Sequence, residues 1–192
     1  MIEKQAQPFL KWAGGKTQLL AQIESFFPEE LLKGSITKYI DPFVGGGAVF
    51  FKVANTYFIQ EFFISDVNPE LILAYKTIQK NIEDLISCLW KEQETYLALT
   101  EEERKKFFYQ IRTDYNLRRN QMSFDTYSSH WIERTAQLIF LNRTCFNGLF
   151  RVNSKGEFNV PFGRYKKPRI CDADNLRRVS KILEKVAKNG IV

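Results

Sequence analysis

The chain has 192 residues and a mass of 22.6 kDa, a length that suits one domain or one and a half. Its composition, 44% hydrophobic and 26% charged, excludes an intrinsically disordered protein, and no apolar run approaches the roughly 18 residues of a membrane-spanning helix. The net charge is +6, and three cysteines without a C-x-x-C spacing, with a single histidine, predict reduced thiols in a cytoplasmic protein and argue against a zinc site.

The amino-terminal third predicts short strands that alternate with turns and helices. Apolar spacing predicts a helix over residues 16–27, and residues 36–40 form a β-rich run that ends before three glycines. Residues 48–54 predict a helix after that glycine turn, and residues 61–65 a second strand that ends at Asp66. Strand, glycine turn, helix, strand and acid, in that order, are the opening of a doubly wound α/β sheet.

The remainder of the chain is mainly helical in pattern. Helices are predicted over residues 71–90, 101–119, 128–141 and 173–188. Residues 151–160 have β-forming residues on both sides of a turn that contains Gly156, which predicts a β-hairpin.

Positive charge is concentrated in the second half of the chain. Residues 1–100 contain nine lysines, no arginine and twelve acidic residues, a net charge of −3, whereas residues 101–192 contain eight lysines, eleven arginines and ten acidic residues, a net charge of +9. Between residues 143 and 169, seven basic residues and one acid are interleaved with aromatic residues, a pattern that favours phosphate neutralisation and base stacking on a nucleic acid. A solvated basic surface is the alternative. For Phe150, Phe158 and Phe162, packing in the hairpin core is the preferred interpretation.

The glycine turn at residues 41–47, Asp41-Pro-Phe-Val-Gly-Gly-Gly47, predicts a ligand site. It follows a strand and opens a helix, where glycines let a ligand approach the backbone and the helix terminus favours negative charge. Asp66 follows Gly46 by 20 residues at the end of the second strand, where a carboxylate can accept hydrogen bonds from ribose hydroxyls. Together they favour an adenosine-containing cofactor. A tight turn with a helix cap at Asp66 is the alternative.

A second glycine segment, residues 13–17, is not a phosphate-binding P-loop. That motif requires a glycine five positions before Gly15, and this position is Leu10. No β-rich run precedes it either. The pair Gly14-Gly15, beside Trp12 and Lys16, is instead expected to fold over a bound ligand.

Four segments of the sequence resemble the Dam-type (D12 class) DNA adenine-N6 methyltransferases. They are Pro8-Phe-Leu-Lys-Trp-Ala-Gly-Gly-Lys16, the glycine turn, Asp66-Val-Asn-Pro-Glu-Leu-Ile72, and the pair Phe146-Asn-Gly-Leu-Phe-Arg-Val-Asn153 and Gly156-Glu-Phe-Asn-Val-Pro-Phe-Gly-Arg-Tyr165. The resemblance implies an α/β fold: an incomplete Rossmann-like, S-adenosylmethionine-dependent methyltransferase sheet (residues 1–68 and 172–192). It also implies an inserted, mostly helical DNA-recognition domain that carries a β-hairpin (residues 69–171).

The resemblance also implies the cofactor site. S-adenosylmethionine would be the methyl donor, and Asp66 would hold its ribose, in agreement with the interpretation above. The other cofactor-binding residues would be Trp12, Lys16, Phe43, Gly45, Gly46 and Gly47.

Double-stranded DNA is the implied partner, with GATC as the site and a flipped adenine as the acceptor. By resemblance, Phe146 would wedge into the duplex, Asn147 would lie beside the gap, and Arg151 would read a guanine. Further base or methyl contacts are implied for Leu149, Asn153, Pro161 and Tyr165. Phosphate contacts are expected from Lys155, Arg164, Lys166, Lys167 and Arg169.

The tetrapeptide Asp-Pro-Pro-Tyr, with which this family activates the adenine amine, does not occur in residues 1–192. We therefore expect the amino-terminal part of a methyltransferase, whose catalytic domain is completed by a second polypeptide or by self-association, and we name no catalytic residue. A non-catalytic DNA-binding remnant is the alternative. A nucleotide-dependent oxidoreductase would explain the glycine turn but not the arginine-rich hairpin.

Overall fold

A computed structural model describes residues 4–192, with residues 188 and 189 described by their backbone alone. Three parallel strands form a sheet in the order β1-β2-β3: β1 (Lys38–Asp41), β2 (Glu61–Ile64) and β3 (Val186–Ile191). Tyr39 pairs with Phe62 between β1 and β2, and Phe62 pairs with Val186 between β2 and β3. The two central residues Phe62 and Ile64 are fully buried, so the core begins on β2.

Helix α3 (Ala48–Thr56) connects β1 to β2 and buries Phe50, Phe51 and Val53. A parallel pair of strands needs such a crossover, because the chain must return to the end of the sheet from which it started. The strand, glycine turn and helix predicted for this region are therefore confirmed, with shifts of a few residues at the strand ends.

Helices build most of the remaining chain. They are α1 (Leu20–Glu24), α2 (Glu29–Leu32), α4 (Pro69–Lys80), α5 (Ile82–Ala98), α6 (Glu101–Arg118), α7 (His130–Thr144) and α8 (Ala173–Leu183). Local sequence signals start two of them. Asn68 caps α4 by accepting a bond from the Glu70 N–H at 3.1 Å, and Thr100 with Glu103 forms a capping box at α6.

Two predicted helices were wrong in extent. Residues 71–90 are not one helix, because Asn81 leaves the helical conformation (φ −139°, ψ 47°) and separates α4 from α5. Residues 16–27 are a 3₁₀ turn, Thr17–Leu19, followed by the short helix α1.

The predicted helix over residues 173–188 was also wrong at its carboxyl end. Helix α8 stops at Leu183, and the chain then enters β3 beside β2. The apolar side chains of Val186 and Ile191 are buried in the sheet, and this long-range pairing overrides the local helical pattern.

The predicted hairpin is present in a minimal form. One antiparallel bridge joins Val152 and Phe158, and Gly156 takes a left-handed conformation (φ 77°) in the turn. Phe158 and Phe162 are buried, which confirms core packing for these two aromatic residues. The division of the chain into a cofactor part and a recognition domain stays a prediction. None of the helices in residues 4–192 is both long enough and apolar enough to cross a bilayer.

Candidate functional site

A cavity of about 530 Å³ lies at the carboxyl ends of β1 and β2. Ligands of open α/β sheets bind at this edge, and the volume is in the range of small-molecule sites. The cavity brings together all the residues predicted to bind the cofactor: Trp12, Lys16, Phe43, Gly45, Gly46, Gly47 and Asp66.

The glycine turn is shaped by backbone conformations that need glycine. Gly45 and Gly47 have φ values of 50° and 80°. A Cβ on Gly45 would lie 3.2 Å from the Trp12 ring, so the indole packs directly on the glycine backbone. A Cβ on Gly47 would lie 2.6 Å from the Tyr75 hydroxyl and 2.7 Å from the Phe51 ring. The turn therefore packs tightly on both sides.

Asp66 connects the second strand to the glycine turn. Its Oδ2 accepts the Gly45 N–H at 3.0 Å, and its Oδ1 accepts the Asn68 N–H at 2.9 Å. The side chain is half-buried at the cavity wall, and each carboxylate oxygen has a second lone pair for a further donor. The helix cap considered for Asp66 was wrong, because Asn68 caps α4. The turn-forming role of Asp66 is present and is compatible with ligand binding.

Two tyrosines that were not predicted as site residues stabilise the glycine turn through hydrogen bonds of their hydroxyl groups. The Tyr39 hydroxyl donates to Asp41 at 3.0 Å, and the Tyr75 hydroxyl donates to the Gly45 carbonyl at 3.0 Å. Burial, together with the Asp41 carboxylate, raises the pKa of both phenols well above the usual value, so both remain donors. Tyr75 lies in an apolar stretch of α4, where only a core position could have been predicted.

Lys16 and Phe43 lie at the mouth of the cavity. The Lys16 ammonium donates to the Gly14 carbonyl at 2.9 Å, and the Phe43 ring is 82% exposed. Both can therefore contact a ligand that enters. Among residues 4–192, no cluster of histidine, cysteine or carboxylate side chains could hold a metal ion.

The turn of residues 145–149 follows α7, and the aromatic side chain of Phe146 in this turn is 52% exposed. Asn147 and Gly148 both take left-handed conformations, with φ values of 55° and 64°. The Phe146 N–H donates to the Pro161 carbonyl at 2.8 Å, which brings these two predicted residues together. Leu149 is half-buried at the end of the turn.

The hairpin presents Arg151 and holds Asn153. Arg151 is exposed, and its Nε donates to the Asn159 side chain at 2.7 Å, which restrains the guanidinium at the surface of the hairpin. Asn153 Oδ1 accepts the backbone N–H groups of Lys155 and Glu157, so its side chain stabilises the hairpin turn. Lys155 is exposed at the tip.

The segment after the hairpin contains the remaining predicted residues. Arg164, Lys166, Lys167 and Arg169 are exposed, as phosphate contacts require, but Arg169 is paired with Asp172 at 2.7 Å. Tyr165 is half-buried, and the Lys11 ammonium lies 5.1 Å from the centre of its ring. Lys11 was missed by the sequence analysis, because only the fold places it beside residues so distant in the chain.

The cavity lies close to Phe150, which follows the turn of residues 145–149. Trp12 lines the cavity and stacks on Phe150, with ring centres 5.2 Å apart and an interplanar angle of 22°. The Trp12 side chain thus contacts both the cavity and the segment that follows this turn.

The model of the D12 class N6 adenine-specific DNA methyltransferase family matches residues 12–191. The chain belongs to this family. The mixed α/β structure with its parallel sheet is consistent with the S-adenosylmethionine-dependent methyltransferase fold expected for the family.

Relatives in the methyltransferase family align along most of the chain. It is 50% identical over 182 residues to the type II methyltransferase M.MjaIII of Methanocaldococcus jannaschii, covering 95% of this chain and 61% of that protein. It is 39% identical to M1.LlaDCHI of Lactococcus lactis (92% and 55% covered) and 36% identical to the DNA adenine methylase of Escherichia coli (89% and 52% covered). The chain thus spans half to three-fifths of the length of these relatives.

Proposed function

We propose that the chain forms the cofactor-binding and DNA-recognition part of a site-specific DNA adenine-N6 methyltransferase that acts on GATC. S-adenosylmethionine would supply the methyl group, and a flipped adenine would accept it on its exocyclic nitrogen. One observation supports this proposal most strongly. All seven residues predicted to bind the cofactor line the same cavity, beside the Asp66 carboxylate.

The residues of the cavity fit such a cofactor. The Asp66 oxygens, already held by two backbone N–H groups, would accept the ribose hydroxyls. The turn from Phe43 to Gly47 would surround the methionine end, where the helix terminus favours the carboxylate. Trp12 would cover the ligand from the other side, and Lys16 would approach from the mouth of the cavity.

The turn of residues 145–149 (the DNA-facing turn) and the hairpin would hold the duplex. Phe146, half exposed, would enter the base stack beside Asn147, and the guanidinium of Arg151 would bind O6 and N7 of a guanine. Base or methyl contacts are proposed for Leu149, Asn153, Pro161 and Tyr165. Phosphate contacts are proposed for Lys155, Arg164, Lys166 and Lys167.

Residues 1–192 would bind and orient the two substrates, and the groups that activate the adenine amine would come from elsewhere. The amine is a poor nucleophile because its lone pair is delocalised into the ring. The resemblance assigns its activation to Asp-Pro-Pro-Tyr, which we propose is supplied by a further polypeptide or a further segment.

Binding of S-adenosylhomocysteine, measured by calorimetry on the 192-residue chain, tests the cofactor site. We expect binding by the unaltered chain and a loss of about tenfold or more for Asp66→Ala, since two charge-assisted bonds disappear. Asp174→Ala, which removes an exposed carboxylate on α8, is the control and should bind normally. No binding, or equal binding by Asp66→Ala, would contradict the cofactor site.

Methyl transfer to a GATC duplex tests whether residues 1–192 bind the substrates while a separate segment activates the adenine amine. We expect none from the chain alone and activity after addition of a co-encoded polypeptide that carries Asp-Pro-Pro-Tyr. Turnover by the chain alone would contradict the need for that motif. DNA binding without cofactor binding or complementation would favour the non-catalytic alternative.

A further inference from the structure

The segment of residues 7–12 has no regular secondary structure, and two asparagine side chains hold its backbone. Asn142, on α7, accepts the Lys11 N–H at 2.9 Å and donates to the Lys11 carbonyl at 2.8 Å. Asn175, on α8, forms the same pair of bonds with Gln7, both at 2.9 Å. Each side-chain amide takes the place that a neighbouring strand would have.

Asn142 differs from Asn175 by a third hydrogen bond. Its second amide hydrogen is donated to the Gly148 carbonyl at 2.9 Å. Since Asn142 is 1% exposed, its oxygen and both amide hydrogens are used inside the protein. The orientation of the amide follows from the chemistry, because the Lys11 N–H can only donate and the two carbonyls can only accept.

The hydrogen-bond node formed by Asn142 contacts Lys11 on one side and Gly148 on the other, and each of these residues lies next to one of the two proposed sites. Lys11 precedes Trp12, whose ring lines the cavity and packs on the glycine turn. Gly148 lies in the DNA-facing turn, two residues after the exposed Phe146. The node is thus a direct, buried connection between the cavity wall and the turn.

We infer that Asn142 is a positioning residue that couples the cofactor cavity to the DNA-facing turn. The inference rests on the proposed function, which places a cofactor and DNA at these two sites. A cofactor that orders Trp12 also restrains Gly148 through Asn142, so the turn loses less conformational entropy when it binds DNA. By linkage, DNA must tighten cofactor binding by the same factor.

A binding cycle measures this coupling. The dissociation constant for a GATC duplex is determined with and without saturating S-adenosylhomocysteine, which cannot donate a methyl group. For the unaltered chain we expect tightening of about fivefold or more, in the range of known couplings, and for Asn142→Ala a factor within about twofold of one.

Asn175→Ala is the matched control, because it removes the same pair of bonds from the same segment without touching the turn. Both variants should lose thermal stability, and only Asn142→Ala should lose the coupling. Retention of the coupling by Asn142→Ala, or its equal loss in both variants, would overturn the positioning role.

Hydrogen exchange of the unaltered chain measures the coupling at the turn itself. S-adenosylhomocysteine alone should slow exchange of the Gly148 and Leu149 amides. It should not slow exchange of the Phe158 amide, which lies in the hairpin and donates to the Asn116 side chain on α6 at 2.8 Å. Unchanged exchange in the turn would overturn the inference. Independent binding of both ligands without coupling would overturn the inference alone, whereas absence of binding by either ligand would overturn the proposed function as well.

Discussion

At the scale of single residues, Gly47 tests how closely the glycine turn is packed. We expect Gly47→Ala to destabilise the chain and to weaken S-adenosylhomocysteine binding, because the new Cβ would displace Tyr75 and Phe51 in addition to the strain of about 1–2 kcal/mol of a left-handed alanine. Gly34→Ala is the control, since Gly34 has a similar φ of 74° and no neighbour within 4 Å. Chemical unfolding and calorimetry provide the measurements. A loss no greater than that of Gly34→Ala would show that the packing around Gly47 is not tight.

Arg151 and Lys166 test whether base reading and phosphate binding reside in different residues. Arg151→Ala should reduce discrimination between GATC and a singly substituted site by about 1–3 kcal/mol. Lys166→Ala should weaken binding to all duplexes alike and reduce the slope of affinity against salt by about one. Titration of both duplexes at several salt concentrations distinguishes the two effects, with Lys33→Ala, which removes an exposed lysine at the end of α2, as the control. Equal losses on both duplexes for Arg151→Ala would exclude a base-reading role.

At the scale of elements, a buried ion pair joins α4 to α7. Arg134 Nε donates to Glu70 at 2.9 Å, and its Nη2 donates to the same carboxylate. The guanidinium lies over the Tyr115 ring, and the side chains of Arg134 and Glu70 are almost fully buried. Arg134→Met should cost about 3–5 kcal/mol in the free energy of unfolding, because Glu70 is then a buried, unpaired charge. The control is Arg177→Met, which breaks an equally bidentate but exposed pair with Glu83 and should change stability little.

The double variant Glu70→Leu/Arg134→Met separates the ion pair from its surroundings. It should be more stable than Arg134→Met alone, since neither charge remains buried without a partner. Urea unfolding of Arg134→Met, Glu70→Leu and the double variant gives the comparison. A double variant that is less stable than both single variants would show that packing, rather than charge pairing, dominates this contact.

Helix α5 contributes a pH dependence through Glu92. Burial, and second the Glu133 carboxylate, raise the pKa of Glu92 from 4.5 to about 8. Between these two pH values, Glu92 is ionised in the unfolded chain and protonated in the folded chain. The free energy of unfolding therefore falls as the pH rises, and this loss of stability is complete above about pH 8. Glu92→Gln should therefore raise the melting temperature at pH 9 by about 2 °C or more, with little effect at pH 4.

Thermal unfolding at a series of pH values checks this prediction. Glu94→Gln, an exposed change on the same helix, should have little effect at any pH. A gain for Glu92→Gln that does not grow between pH 4.5 and pH 8 would contradict the role of burial.

At the scale of the whole molecule, the features predicted from the sequence are those encoded by neighbouring residues. The glycine turn, the helix after it and the position of Asp66 depend on local conformation and on strand ends, and the cavity follows from the parallel sheet. The features that were missed depend on long-range contacts. Strand β3 forms because Val186 reaches Phe62, and Asn142 holds Lys11 across 131 residues of sequence. Local periodicity contains no signal for either contact.

The sheet itself makes the last prediction. Within residues 4–192, β1 is an outer strand with no neighbour on its far edge, and Ile40 on this strand is 70% exposed. An open strand edge beside an exposed apolar side chain pairs readily with another chain, so we expect the molecular mass measured by light scattering to rise with protein concentration. Ile40→Lys places a charge beside this edge and should reduce the rise in mass. Leu117 on α6 is similarly exposed, and Leu117→Lys should not reduce the rise. A chain that stays monomeric at high concentration, and does not bind a polypeptide carrying the catalytic motif, would show that this edge needs no partner.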